Sequence, residues 1–341
     1  MKAAIYNPYW DTLGGGERYT ISVAEILSRN GYTVDIEWQD KDIKQQLENR
    51  FRLNLANVNI VDSVSRGDGY DLCFWVSDGS IPTLKSRKNL LHFQFPFKGV
   101  NGNTLINKMK FFRINKVICN SNFTKDIVDQ EYGINSIVLY PPVQTDKFKP
   151  LKKENQIVYV GRFSELTQSK RQDTLIEAFK KFHDMGHTDW KLFLVGGVEV
   201  GAGDFLEKLK QSAKTYPIKI VESPSFKDLK EIVGQSKFFW SAAGFGVDEH
   251  REPTKVEHFG MTVVEAMAAN VVPFVFNAGG HKETVADGQS GYLWNTIEEL
   301  IDKTNMIIAD TKKYRQIVKT AKLESEKFSY ERFEKELAAL L

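Results

Sequence analysis

Lys2-Ala3-Ala4-Ile5-Tyr6 is followed, past a break at Asn7-Pro8, by Gly14-Gly15-Gly16-Glu17-Arg18 and then by apolar residues at positions 19, 23, 26 and 27. A short apolar run, a glycine turn and a helical period make one strand–turn–helix unit, and this unit decides the fold. Gly31 stops the helix, and residues 32–38 read as the next strand. The same rhythm continues outward. Strands are expected at 71–76, 89–93 and 116–120, and helices at 40–51 and 124–132. Alternating strands and helices imply a parallel sheet covered on both faces.

The rhythm restarts after Pro141-Pro142 and Pro150, and the polar run Lys152-Lys153-Glu154-Asn155 marks a linker. Strands are then expected at 156–160, 191–195, 218–221, 238–241 and 272–276. Helices are expected at 171–185, 204–215, 226–236, 261–270 and 297–310. The fold class is therefore α/β, with two doubly wound parallel sheets facing across a cleft. The first domain spans 1–150 and the second 151–341, the last helix being free to pack back on the first domain. Ligands of such sheets sit outside the carboxyl ends of the strands.

The 341 residues are 42% hydrophobic and 26% charged, enough for two cores, and carry a net charge of +2. So even a balance excludes a general nucleic-acid binder. Cys73 and Cys119 each stand in an apolar run, which points to buried thiols rather than a disulfide framework or metal site. The N-terminal apolar run is too short for a signal peptide, and no window approaches 18 continuous apolar residues. A cytoplasmic protein, at most peripheral on the inner face of a membrane, is expected.

Three segments carry chemistry. Gly14-Gly15-Gly16 opens a helix, where glycines admit a bulky anion and the helix supplies N–H groups. Tyr19 stands where a dinucleotide fingerprint needs glycine, and a tight turn without a ligand is the plainer alternative. Gly161-Arg162-Phe163 ends a strand and Lys170-Arg171-Gln172 opens a helix. Three cations thus cluster at one junction, as a phosphate clamp or as a solvated loop. The sharpest segment is Glu257-His258-Phe259-Gly260-Met261-Thr262-Val263-Val264-Glu265. Its glycine precedes a helix start, and its two carboxylates can address two parts of one ligand rich in hydroxyls. Glu265 lies among Val263, Val264, Ala266 and Met267, where a carboxylate needs a partner.

With seven residues between the glutamates and Phe259-Gly260 among them, the chain resembles the retaining GT-B glycosyltransferases of glycosyltransferase family 4 (glycosyl transferases group 1). That family includes sucrose synthase, glycogen synthase and the bacterial phosphatidylinositol mannosyltransferases. Further segments match in order: Gly15-Gly16-Glu17, Asn120-Ser121-Asn122-Phe123-Thr124, Tyr140-Pro141-Pro142-Val143, Val160-Gly161-Arg162 and Asn277-Ala278-Gly279-Gly280. The resemblance implies that Arg162 and Lys170 hold the donor diphosphate and that Glu265 binds the ribose. Glu257 would touch the transferred sugar on its reacting face, and the backbone of Phe259, Gly260, Met261 and Thr262 would bind sugar and diphosphate. Gly15 and Gly16 would approach the phosphates from the other domain, and His92, in Leu90-Leu91-His92-Phe93-Gln94, would reach the sugar. The family usually has Lys-Gly where this chain has Lys170-Arg171.

The segments around His92, Ala243-Gly244-Phe245-Gly246 and Glu249-His250 resemble mannosyltransferases that extend lipid-linked oligosaccharides, which favours GDP-mannose as donor and a glycan or lipid-linked acceptor. A UDP-sugar transferase, a nucleotide-sugar epimerase and a non-catalytic sugar-nucleotide-binding subunit are the alternatives. Paired carboxylates also serve glycoside hydrolases, but those need no diphosphate clamp. No metal or other cofactor is expected, because cations and a helix N-terminus can stabilise the leaving diphosphate. Residues 98–116 mix Lys98, Lys108, Lys110, Arg113 and Lys116 with apolar side chains. They read equally as a helix on an anionic membrane or as a helix with a core face.

Overall fold

The computed structural model describes residues 1–164 and 170–341. It divides into two compact units, Met1–Pro142 with Glu331–Leu341, and Val143–Tyr330.

The first unit is built on seven parallel strands: β1 (Lys2–Tyr6), β2 (Thr33–Glu37), β3 (Val58–Val61), β4 (Leu72–Val76), β5 (Lys88–Phe93), β6 (Lys116–Cys119) and β7 (Ile137–Val138). Their order is β3-β2-β1-β4-β5-β6-β7. The order reverses between β1 and β4, so the crevice for ligands opens at the ends of those two strands. Helices α1 (Gly15–Arg29), α2 (Ile43–Phe51), α3 (Leu105–Phe111) and α4 (Asn122–Tyr132) connect them. Ala3, Ala4 and Ile5 have no exposed surface, as a central strand covered on both faces requires.

The second unit has six parallel strands: β8 (Gln156–Val160), β9 (Lys191–Gly196), β10 (Ile218–Glu222), β11 (Phe238–Ser241), β12 (Val272–Phe276) and β13 (Tyr292–Trp294). Their order is β10-β9-β8-β11-β12-β13, so the reversal lies between β8 and β11. Helices α5 (Gln172–Asp184), α6 (Gly203–Ala213), α7 (Phe226–Gln235), α8 (Met261–Ala268), α9 (His281–Thr284), α10 (Ile297–Ala309) and α11 (Thr311–Ser325) flank the sheet, and α12 (Tyr330–Leu340) ends the chain. Trp190, Trp240, Phe238 and Phe274 belong to one continuous core cluster.

The predicted boundaries shift for local reasons. The helix predicted from residue 40 starts at Ile43, because the Asp40 side chain accepts the Asp42 N–H and turns the chain first. The helix predicted to reach residue 270 stops at Ala268, and Asn270 adopts a left-handed φ of 60°. Edge strands β3 and β7, the three-residue β13 and helices α9 and α11 have no counterpart in the expected elements, and the last helix is α12. Of residues 98–116 only Leu105–Phe111 is helical; Phe111 and Ile114 pack against a core cluster, and none of the helix's residues is fully buried. Cys73 and Cys119 are both buried free thiols. Among the described residues, no helix is long and apolar enough to cross a membrane.

Candidate functional site

In the second unit, the end of β8 and the start of α8 bring several of the predicted residues together. The backbone at the end of β8 packs tightly. A Cβ on Gly196 would lie 2.0 Å from the Gly161 carbonyl oxygen, and one on Gly161 would lie 2.3 Å from the Tyr159 Oη. Arg162 follows with its side chain 43% exposed and its Nη1 3.9 Å from Glu199 Oε1, a loose ion pair that leaves the guanidinium accessible. Lys170 Nζ donates to Glu257 Oε2 at 2.8 Å, and the two side chains are only 12% and 19% exposed.

That pair governs the charge state. Burial pushes the Glu257 carboxyl up. Lys170 first, then His281 and His258, outweigh burial and hold it at about 2. The carboxylate is therefore ionised across the neutral range and can only accept hydrogen bonds. His258 and His281 are both lowered to about 4, chiefly by burial, so both are uncharged at neutral pH. The buried Tyr159 hydroxyl is pushed well above its ordinary value by burial. Glu257 pushes it further up and Arg162 pulls it down.

Gly260 caps α8 at φ 94°, ψ 56°, a left-handed conformation that glycine adopts without cost. A Cβ there would meet Val263 at 3.2 Å, His281 Cδ2 at 3.4 Å and Glu257 Cγ at 3.6 Å, so these groups surround the helix start. No acidic residue lies in the first turn of α8 and no side chain caps it. Met261 and Thr262 occupy the first two helical positions, whose N–H groups have no carbonyl one turn back. Phe259 packs its ring against Phe328, with centroids 5.2 Å apart. Glu265 is buried in the second turn.

The segment Glu257–Gly260 rests on Gly279-Gly280. The Gly280 N–H donates to the Glu257 carbonyl at 2.7 Å. Side chains on Gly279 or Gly280 would come within 2.2 Å of the Glu257 and His258 carbonyl oxygens. Glu249 ties this turn, accepting from the Gly279 N–H and from Lys282 Nζ, both at 2.6 Å. His281 is wholly buried, with Nδ1 3.0 Å from the Phe276 carbonyl and Nε2 3.4 Å from Ser241 Oγ. Sequence reading quoted Gly279-Gly280 and Glu249 without giving them a task, and missed His281. A glycine pair before a short helix is the signal that marks this second wall.

Arg171 shows why the position after Lys170 is special. It sits at φ 50° ahead of α5, where glycine would be unstrained. Its side chain compensates: Nη1 donates to the Phe245 carbonyl at 2.7 Å, and Nε pairs with Asp173 at 3.1 Å.

In the first unit, Gly14 caps α1 and Gly15 and Gly16 form its first turn. The Glu17 carboxylate accepts from the Gly14 N–H at 2.8 Å and the Thr12 hydroxyl at 2.5 Å. A Cβ on Gly16 would lie 2.1 Å from Gln94 Oε1. His92 departs from its expected place on a sugar. It has no exposed surface, and its ring stacks on Tyr19 (4.2 Å) and Phe74 (5.5 Å). Burial lowers it to about 3, so it packs in the core as a neutral ring. A cavity of about 320 Å³, with no counterpart in the sequence motifs, lies at the ends of β1 and β4 and is lined in part by Tyr6, Arg66, Trp75, Asp78 and Lys110. Tyr6 and Trp75 stack there with centroids 3.8 Å apart.

Comparison with known proteins fits this geometry. The family model of glycosyl transferases group 1 matches residues 143–324, just over half of the chain. A GDP-Man:Man(3)GlcNAc(2)-PP-Dol alpha-1,2-mannosyltransferase of Dictyostelium discoideum is 30% identical over 62% of this chain, which spans only 43% of that relative. An uncharacterized glycosyltransferase of Haemophilus influenzae is 25% identical over 96% of both chains. Among solved structures, a glycosyltransferase from Rickettsia africae superposes with a TM-score of 0.78 at 19% identity, over 99% of this chain and 97% of that one. Anabaena Alr3699/HepE in complex with UDP and glucose gives 0.77 at 19% identity, over 100% and 99%. These likenesses at low identity speak for the GT-B fold of two parallel-sheet α/β domains. The chain belongs to the glycosyl transferases group 1 family, and residues 143–324 are its glycosyltransferase domain.

Proposed function

We propose that the protein transfers a hexosyl group from a nucleotide-sugar donor to a hydroxyl of a glycan or lipid-linked acceptor, with retention of anomeric configuration. The observation that carries this reading is the Lys170–Glu257 pair beside the glycine-capped start of α8. Arg162, Lys170 and the first-turn amides of α8 stabilise the negative charge that grows on the departing diphosphate. Glu257 Oε2 already holds Lys170, and the carboxylate has further lone pairs for hydroxyls of the transferred sugar. Glu265 takes the ribose hydroxyls. The bond from the sugar's anomeric carbon to the diphosphate breaks, and a bond to the acceptor oxygen forms on the same face. The acceptor's proton passes to the leaving diphosphate. This charge stabilisation needs no metal ion. The cavity at Tyr6 and Trp75 takes the acceptor, its stacked rings offering an apolar platform to a sugar.

GDP-mannose is the favoured donor, because relatives at 25–30% identity are named as mannosyltransferases, several of them by a GDP-Man donor. A melting panel with GDP-, UDP- and ADP-sugars tests the choice, since a ligand held only by the folded chain raises the midpoint. Stabilisation by GDP-mannose together with acceptor-dependent GDP release is expected. Stabilisation by UDP-sugars alone overturns the donor. Epimer formed without an acceptor, or binding without any transfer, overturns the reaction.

A further inference from the structure

The first unit carries one surface that the transfer chemistry does not use. Leu105, Ile106, Met109 and Phe112 are 75%, 67%, 64% and 90% exposed, and Val100 adds to the same segment. Four large apolar side chains within eight residues, all turned to solvent, are not the scattered exposure of an ordinary surface. The segment is also held in place. Glu131 of α4 accepts hydrogen bonds from the Gly99, Val100 and Gly102 amides at 2.8, 3.0 and 3.1 Å. The Asn107 side chain donates to the Gly102 carbonyl at 2.9 Å, and Thr104 caps α3 through the Asn107 N–H. Gly102 admits no side chain, because a Cβ would lie 2.5 Å from the Tyr132 ring. The loop and helix are thus built to present these residues outward.

Charge identifies the occupant. Residues 98–116 contain five cations and no acidic residue, while the chain as a whole is only +2, so everything outside the segment carries −3. A second copy docking the same patch would bring +5 against +5, which opposes self-association through this face. An anionic lipid surface answers both features at once: apolar side chains enter the headgroup boundary and lysines meet the negative charge. We propose that α3 and its preceding loop dock the protein on an anionic membrane surface. Lys110 of the same helix also lines the Tyr6–Trp75 cavity, so docking would set that cavity at the level of the headgroups.

Vesicle binding needs no donor and stands or falls apart from the transfer reading. The full chain is sedimented with vesicles of phosphatidylcholine mixed with phosphatidylglycerol, and with phosphatidylcholine alone. It should bind the anionic vesicles, and bind less as salt rises. The Leu105→Ser, Ile106→Ser, Phe112→Ser variant should bind about tenfold or more weakly, and Lys108→Glu, Lys116→Glu comparably, each with an unchanged melting midpoint. Transfer to a water-soluble acceptor should be unaffected in both. Wild-type protein left in the supernatant, or variants that bind equally, would overturn the proposal. So would a vesicle-free dimer that the apolar variant dissociates, since the patch would then be a subunit interface.

Discussion

Two helix starts, α1 in the first unit and α8 in the second, follow glycines and carry the same positive end, yet they use it differently. At α1 an acidic residue stands in the first turn: Glu17 accepts from the Gly14 N–H, and Gln94 lies close to Gly16. At α8 there is no acidic residue in the first turn and no capping side chain, and a lysine–glutamate pair stands next to the glycine. A carboxylate in the first turn offsets part of the positive end of α1, whereas α8 keeps its positive end for a ligand's negative charge. A glycine turn alone does not distinguish the two. The side chain three residues on does.

The largest effect that would break this contrast is at Lys170. Lys170→Ala should lower transfer by about 10²–10³-fold, the usual cost of losing one preorganised charge partner. It should also cost about 1–3 kcal/mol of stability, because a mostly buried Glu257 loses its cation. Adding Glu257→Gln should restore the melting midpoint without restoring transfer. Recovery of both would reduce the pair to a structural brace. Gly260→Ala comes next. Its left-handed φ costs an L-residue about 1–2 kcal/mol, so α8's first turn should shift and donor affinity fall, read by calorimetry.

Acid sharpens the same contrast. His258 and His281 titrate near 4 in the folded chain, below the ordinary histidine value. The unfolded chain therefore takes up their protons first, and stability present above about 6.5 is lost as pH falls toward 4. Glu257, held at about 2, adds a second loss below the ordinary carboxylate range. Melting midpoints from pH 8 to pH 4 should fall accordingly, and His281→Gln should flatten the first step. At α1, Glu17→Ala should cost about 1 kcal/mol through the lost cap while changing transfer only slightly. The smallest effect belongs to Arg171→Gly, which relieves a left-handed φ but gives up the bonds to Phe245 and Asp173, for a net change within about 1 kcal/mol.

Much of the sheet architecture was legible because central strands such as Lys2–Tyr6, Gln156–Val160 and Val272–Phe276 are continuous apolar runs between turn residues. The edge strands β3 and β7 were not, since a partly exposed run of two to four residues has no period to read. In the site, Glu257, Lys170 and Gly260 were legible as residue types at strand and helix ends. Their hydrogen bond was not, because 87 residues of sequence separate the partners. His92 misled for a related reason. The resemblance alone set it on the sugar, whereas stacking between Tyr19 and Phe74 is decided by helix packing that sequence spacing does not show.

That Lys170, held by Glu257 beside the start of α8, engages the donor's diphosphate is checked by titrating GDP and GDP-mannose into wild-type protein and the Lys170→Met, Glu257→Gln variant. The double substitution leaves no uncompensated charge behind, so its melting midpoint should stay close to that of wild type. Its dissociation constants should rise by about tenfold or more, as expected when a charge-assisted contact to phosphate is lost. Unchanged dissociation constants in a folded variant would contradict the account.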